Sequence, residues 1–213
     1  MAHILASVQG ADLDHIPIKR ALLSVYDKTD LLELGNALAE LGVELLSTGG
    51  SAKALREGGL MVTDISEVTG SPEILDGRVK TLHPKVHGGL LAVRGNAKHK
   101  QDLQAQGIQH IDLVVLNLYP FQNSIQSLSA FEQCVENIDI GGPCMLRAAA
   151  KNHAYVCVLS HPSQYPAFLQ ALRESGGQSS LAMRRACAAE AFRCSAAYEA
   201  LIADYFASQV ALP

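Results

Sequence analysis

Three cations and two histidines fall within one short stretch of this chain, Arg78-Val79-Lys80-Thr81-Leu82-His83-Pro84-Lys85-Val86-His87-Gly88-Gly89. The chain carries a formal charge of −4, so attraction to an anion has to be made locally, by groups brought together in one place. No hydrophobic period of two or of 3.6 runs through the stretch, and Pro84 lacks the N–H that a helix interior needs. An ordered surface loop is expected, the usual seat of binding chemistry. A solvated basic loop would have the same composition. His83 and His87 have the four-residue spacing of a metal-binding helix, but Pro84 between them breaks that geometry, and no metal site is expected.

Other polar groups can meet this stretch: Ser24, Lys28, the turn Thr48-Gly49-Gly50-Ser51, Asn117, Tyr119, Asp139 and Lys151. With Arg78, Lys80 and Thr81 they set four cations against one carboxylate. Such a pocket suits a phosphorylated substrate and a reaction that develops negative oxygen, because preorganised donors and cations stabilise that charge best where water is excluded. A Lys near an Asp can equally be a structural ion pair.

These groups need a scaffold that gathers them. Residues 18–25 read as a buried first strand, after which Asp27 is expected to cap a helix with Leu31, Leu34, Leu38 and Leu41 on one face, stopped by Gly42. A second strand over 43–47 leads through the Thr48–Ser51 turn into a helix over 52–57, an order that points free backbone N–H groups at a phosphate. The spacing is neither a Walker loop nor GxGxxG, and a tight turn that merely needs glycine is the alternative. Further strands are expected at 61–65, 113–118 and 155–159. Helices are expected at 96–106, from a Ser129 cap through Val135, from Cys144 to Lys151 with Pro143 at the first position, and from His161-Pro162 through Leu172. After the Gly176-Gly177 break, 180–208 reads as a long amphipathic helix. Alternating strands and helices imply an α/β fold of parallel βαβ units, whose ligand crevice lies beyond the carboxyl ends of the strands. The division expected is a tail over 1–17, a main domain over 18–175 and a helical extension over 176–213.

Composition narrows the class. The apolar fraction is 48% with no Trp and 5% aromatic residues, so the core is aliphatic. With 17 basic and 21 acidic residues, neither nucleic acid nor an anionic membrane is an expected partner. Five scattered cysteines without a CxxC pair fit a reducing, cytoplasmic compartment, and no apolar run is long enough to span a membrane.

Six blocks carry a resemblance: Leu23-Ser24-Val25-Tyr26-Asp27-Lys28-Thr29, Ser47-Thr48-Gly49-Gly50-Ser51, Gly77-Arg78-Val79-Lys80-Thr81-Leu82-His83-Pro84, Asn117-Leu118-Tyr119-Pro120-Phe121, Ile138-Asp139-Ile140-Gly141-Gly142 and Arg147-Ala148-Ala149-Ala150-Lys151-Asn152-His153. In this order, over about 20–206, the chain resembles the IMP cyclohydrolases, the first domain of the bifunctional purine biosynthesis proteins. The resemblance implies a methylglyoxal-synthase-like three-layer fold, a homodimer, no cofactor and no metal. It also implies closure of 5-formamidoimidazole-4-carboxamide ribotide to IMP with loss of water. By the same resemblance Lys28 and Thr48, Gly49, Gly50 and Ser51 hold the phosphate, Arg78, Lys80 and Thr81 contact phosphate or base, and Ser24 and Asn117 are further substrate-binding residues. Lys80, Tyr119, Asp139 and Lys151 are the implied catalytic residues, and the Gly141 and Gly142 amides donate to the reacting oxygen. Asp139 and Lys151 are expected to form a proton-handling couple, with Lys151 the acid that helps hydroxide leave.

Tyr26, Asp30 and Ser51 depart from the family's usual Ser, Gly and Thr. The roughly 300-residue transformylase domain is not part of this sequence, as in a stand-alone enzyme or a piece of a longer chain. A regulatory nucleotide-binding module and a methylglyoxal-synthase-type lyase are the alternatives on the same fold. The first leaves Lys80, Tyr119, Asp139 and Lys151 unexplained, and the second does not require the Asn117–Phe121 block.

Overall fold

A computed structural model describes residues 13–127 and 130–209. In chain order the elements are β1 (His15–Pro17), β2 (Arg20–Val25), α1 (Leu31–Glu40), β3 (Glu44–Ser47), α2 (Gly49–Glu57), β4 (Thr63–Asp64) and α3 (Ile65–Thr69). There follow α4 (Pro84–Leu91), α5 (Ala97–Ala105), β5 (Leu113–Asn117), α6 (Phe121–Ser127), α7 (Phe131–Glu136), α8 (Gly141–Lys151) and β6 (Cys157–Leu159). The chain closes with α9 (Tyr165–Glu174), β7 (Gln178–Ser180) and α10 (Leu181–Gln209).

Five strands form one parallel sheet in the order β4-β3-β2-β5-β6, its inner strands rich in Leu and Val. Leu22, Leu23, Leu46, Val114 and Val115 are fully buried, as a parallel sheet covered by helices requires. Each such side chain contributes about 1.5–3 kcal/mol by leaving water. Helices α1 and α2 pack on β2 and β3, whereas α8 and α10 cover β5 and β6. The last three residues of the expected tail form β1, which pairs antiparallel with β7 ahead of α10. Residues 1–12 of that tail and the Ser129 cap lie outside the described residues.

Several local expectations are corrected. The cation-rich stretch is a loop only as far as His83, because Pro84 takes the first position of α4, where a missing N–H costs nothing. The His83 ring accepts from the Lys85 N–H at 3.1 Å and caps that helix. Gly89 sits inside α4 because a Cβ there would meet the Gln109 carbonyl at 2.7 Å. The third strand shrinks to Thr63–Asp64, since Asp64 and Glu67 make a capping box that starts α3. Asp27 does not cap α1; its carboxylate accepts from the Thr29 N–H and hydroxyl. Leu41, expected on the buried face of α1, is 40% exposed. An unexpected helix, α6, follows the Tyr119-Pro120 turn. Pro143 is the third residue of α8 rather than its first.

The residue before α1 is Asp30, at φ 56° and ψ 12° with no side-chain cap bond. That is the left-handed region, which costs an L-residue about 1–2 kcal/mol and glycine nothing. Asp30→Gly is therefore expected to stabilise the fold by up to about 1 kcal/mol, once the greater freedom of glycine in the unfolded chain is offset. Thermal unfolding checks this, as a rise of about 2–4 °C.

Candidate active site

The turns after β2, β3 and β5 open at one end of the sheet, and the sequence explains how they are held there. Asn117, the last residue of β5, accepts from the N–H groups of Tyr26 and Asp27 at 2.8 Å each and donates to the Asp27 carbonyl at 3.0 Å. Its amide is thus spent on fixing the turn that carries Lys28. Ser51 is also turned inward: its hydroxyl bonds the N–H and carbonyl of Val25, both at 2.9 Å. The Ser24 and Thr48 hydroxyls bond each other at 3.0 Å. Of the residues expected to grip a ligand, these four brace the cleft wall.

The helix α2 starts three residues earlier than expected, so Gly49 and Gly50 form its first turn. Gly49 has φ +46°, and a Cβ there would lie 3.4 Å from the Lys80 ammonium; a Cβ on Gly50 would lie 3.7 Å from that of Lys28. Two ammonium groups therefore stand over a helix N-terminus whose first amides have no intrahelical partner. Cations and amide dipoles act in the same sense on an anion.

Carboxylates absent from the sequence motifs stand nearby. Glu73 pairs with Lys80, and Glu136 makes a two-pronged bond with Arg78 that lowers its own pKa and raises that of the guanidinium. A cavity of about 280 Å³ is lined by Gly49, Asp64, Ser66, Ser71, Glu73 and Lys80. Burial pushes the Asp64 pKa up, but bonds from the Ser66 N–H and hydroxyl, with the charges of Arg56 and Lys80, bring it below the usual value. The expectation of four cations facing one carboxylate is corrected. Among the described residues, Lys28 alone of the four both reaches the cleft and lacks an acidic partner; its ammonium bonds the Tyr26 carbonyl at 3.3 Å.

Across the cleft, Thr81 is buried and meets the start of α8. A Cβ on Gly141 would lie 2.7 Å from the Thr81 hydroxyl, and one on Gly142 would lie 2.2 Å from the Asp139 carboxylate. A side chain at either position would displace the functional group it meets. The Gly142 N–H donates to Asp139 at 2.8 Å, so only the Gly141 amide remains of the expected pair. Burial raises the Asp139 pKa, and the Gly142 bond only partly opposes it. Tyr119 is half exposed and stands edge-on to Tyr26, ring centres 5.3 Å apart.

Lys151 is exposed at the last position of α8, about 15 Å from its start at 1.5 Å per residue. The expected couple of Asp139 and Lys151 is not made within one chain. The neighbouring Asn152 binds the Leu90 and Ala92 carbonyls and serves the scaffold. Among the described residues no three His, Cys, Asp or Glu side chains are placed to hold a metal ion, and no helix is long and apolar enough to cross a membrane. What the cleft offers is a helix start beside the ammonium groups of Lys28 and Lys80, the latter paired with Glu73, together with the Thr81 hydroxyl, the Gly141 amide and the Asp139 carboxylate at the start of α8, groups that can hold an anion and move a proton.

Residues 30–144 match the model of the MGS-like domain, and residues 149–212 match that of the AICARFT/IMPCHase bienzyme. The chain is similar to the "Bifunctional purine biosynthesis protein PurH" of Agrobacterium fabrum, with 56% identity over 93% of this chain and 37% of that protein. Similarity to the same protein of Ruegeria pomeroyi is 55% over 93% and 38%. The chain thus spans less than two fifths of the length of these relatives. A solved structure, described as that of ForH, superposes with a TM-score of 0.78 at 36% identity, over 89% of this chain and 97% of that one.

Proposed function

The chain belongs to the MGS-like domain family and carries the matching region of the AICARFT/IMPCHase bienzyme, and from that premise we propose that it is an IMP cyclohydrolase. The reaction is closure of 5-formamidoimidazole-4-carboxamide ribotide to IMP with loss of water. The observation that carries this reading is the convergence of Lys28, Lys80 and the Gly49-Gly50 helix start opposite Thr81, Gly141 and Asp139. A ribotide 5′-phosphate matches Lys28 and the helix start, and a ring that must lose and gain protons matches the second group, with Lys80 between the two.

Both reacting groups belong to one molecule, so the enzyme's task is to align them and move protons. In this reading Asp139 draws a proton from the carboxamide as its nitrogen attacks the formyl carbon. Lys80 and the Gly141 amide stabilise the oxyanion of the tetrahedral intermediate, which takes back the proton that Asp139 accepted; Tyr119 then donates to the departing hydroxyl and is reprotonated from the formamido N–H, so that water leaves as the C=N bond forms. The Glu73 carboxylate gives up Lys80 when substrate enters. Arg78, tied to Glu136, holds the loop that carries Lys80. We also propose a homodimer acting in the cytoplasm, with neither nucleic acid nor membrane as partner. Lys151 then reaches a reacting edge only from a second copy of the chain.

Following absorbance while the purified protein converts the formylated ribotide to IMP, with folate and added metal left out, tests the assignment. Absence of IMP would overturn it. If Lys28 binds phosphate alike in the ground and transition states, Lys28→Ala raises KM about 10–100-fold and changes kcat far less, the loss expected of one charge-assisted bond. Steady-state kinetics check this, and an unchanged KM would remove Lys28 from the phosphate site.

A further inference from the structure

Asp139 is anchored at both ends, and one anchor comes from 59 residues further along the chain. Its carboxylate accepts from the Gly142 N–H, and its own N–H donates to the Tyr198 hydroxyl at 2.8 Å. Tyr198 lies on α10, outside every block that reads as a motif. We propose that Tyr198 is a positioning residue for the ring closure, its hydroxyl fixing the Asp139 backbone and its ring fixing the base of Tyr119. This rests on the cyclohydrolase reading and adds a residue to it.

Tyr198 is 7% exposed and packs with Phe121 and Cys134 in a small cluster separate from the main core. Its ring stands edge-on to Phe121 at 6.3 Å, and the Phe121 N–H donates to the Tyr119 carbonyl at 2.8 Å. One side chain thereby braces the segments that present Tyr119 and Asp139 to the same cleft. Packing alone would be served by Phe; the hydroxyl is explained by the amide it accepts from. Its own proton is given to no acceptor among the described residues, so the Asp139 amide is the group that fixes the oxygen. Burial, with the charges of Asp139 and Glu199, raises the phenol's pKa and keeps it neutral. Loss of the hydroxyl would leave the Asp139 N–H without this partner and free the carboxylate to drift, and misplacement of a reacting group by about 1 Å costs on the order of 100-fold in rate.

The test compares wild type, Tyr198→Phe and Tyr205→Phe, the last removing a hydroxyl from another ring of the same cluster. Two readouts are used: kinetics on the formylated ribotide, and hydrogen exchange at the Asp139 amide. Expected is a kcat lowered about 10–100-fold in Tyr198→Phe with KM within about twofold, and faster exchange at Asp139. Tyr205→Phe should stay within about twofold on both constants. A wild type that turns over beside a Tyr198→Phe of unchanged kcat, or a loss shared equally by Tyr205→Phe, would overturn the positioning role alone. A wild type without turnover would overturn the cyclohydrolase reading and this role with it.

Discussion

Asp139→Asn is expected to lower kcat about 10²–10⁴-fold, the usual contribution of a positioned proton transfer, while the protein melts no lower than wild type at neutral pH. The substitution is nearly isosteric. An asparagine oxygen still accepts the Gly142 N–H that the carboxylate accepts now, and the backbone bond to Tyr198 is untouched. What disappears is a proton acceptor and a charge. Burial raises the Asp139 pKa above its value in an unfolded chain, so this group favours the fold below the unfolded pKa and loses that contribution as pH rises through the folded one. At neutral pH the buried charge therefore costs stability, and asparagine removes that cost. The gap in melting temperature between variant and wild type should close as pH falls towards the ordinary aspartate range. Wild-type kcat should rise with pH on an acid limb displaced above that range, and the variant should lack the limb. Calorimetry and a pH–rate profile measure both. A variant with wild-type kcat would exclude Asp139 from the chemistry and leave Lys80 and Tyr119 as the acid–base candidates.

How far the sequence showed this site depends on whether each residue's partner lies close by in the chain. The strands were legible because a parallel sheet buried on both faces demands runs such as Leu113–Leu116, and the stop of α1 because Gly42 does adopt positive φ. Pro84 misled because the same missing N–H that bars proline from a helix interior suits the first turn. Glu136 neutralises Arg78 from 58 residues away, which no spacing rule reports. Asn117 and Ser51 have side chains that suit a ligand, yet both bond backbone that the fold brings to them. The reach from Asp139 to Lys151 was the one distance the sequence itself could have excluded, since an uninterrupted helix of eleven residues cannot fold back on its own start.

Arg184 tests the scaffold behind the site, and Arg184→Met is expected to destabilise the protein by about 3–5 kcal/mol. The side chain is fully buried, and among the described residues no carboxylate bonds it. Its five N–H donors go to the carbonyls of Leu13, His153, Ala154 and Ser179 and to the Ser179 hydroxyl. One guanidinium thus joins the residues before β1, the strand β7, the turn between α8 and β6, and α10. Burial lowers its pKa, but a guanidinium stays charged in any protein environment, so the desolvation must be met by those acceptors. Methionine fills much of the volume and strands the acceptors, each costing about 1–3 kcal/mol where water cannot reach. Lysine would not rescue it, because one ammonium with three donors cannot span four carbonyls set around a planar fork. Arg185, the next residue, is exposed, and Arg185→Met should stay within about 0.5 kcal/mol. Chemical denaturation separates the pair, and the loss at 184 corresponds to a melting temperature lower by about 6–20 °C. Equal stability of the two variants would show that water replaces the guanidinium. Since Arg184 holds the end of α8 opposite Asp139, the folded fraction of Arg184→Met should keep the wild-type KM, which places this residue in the fold and outside the chemistry.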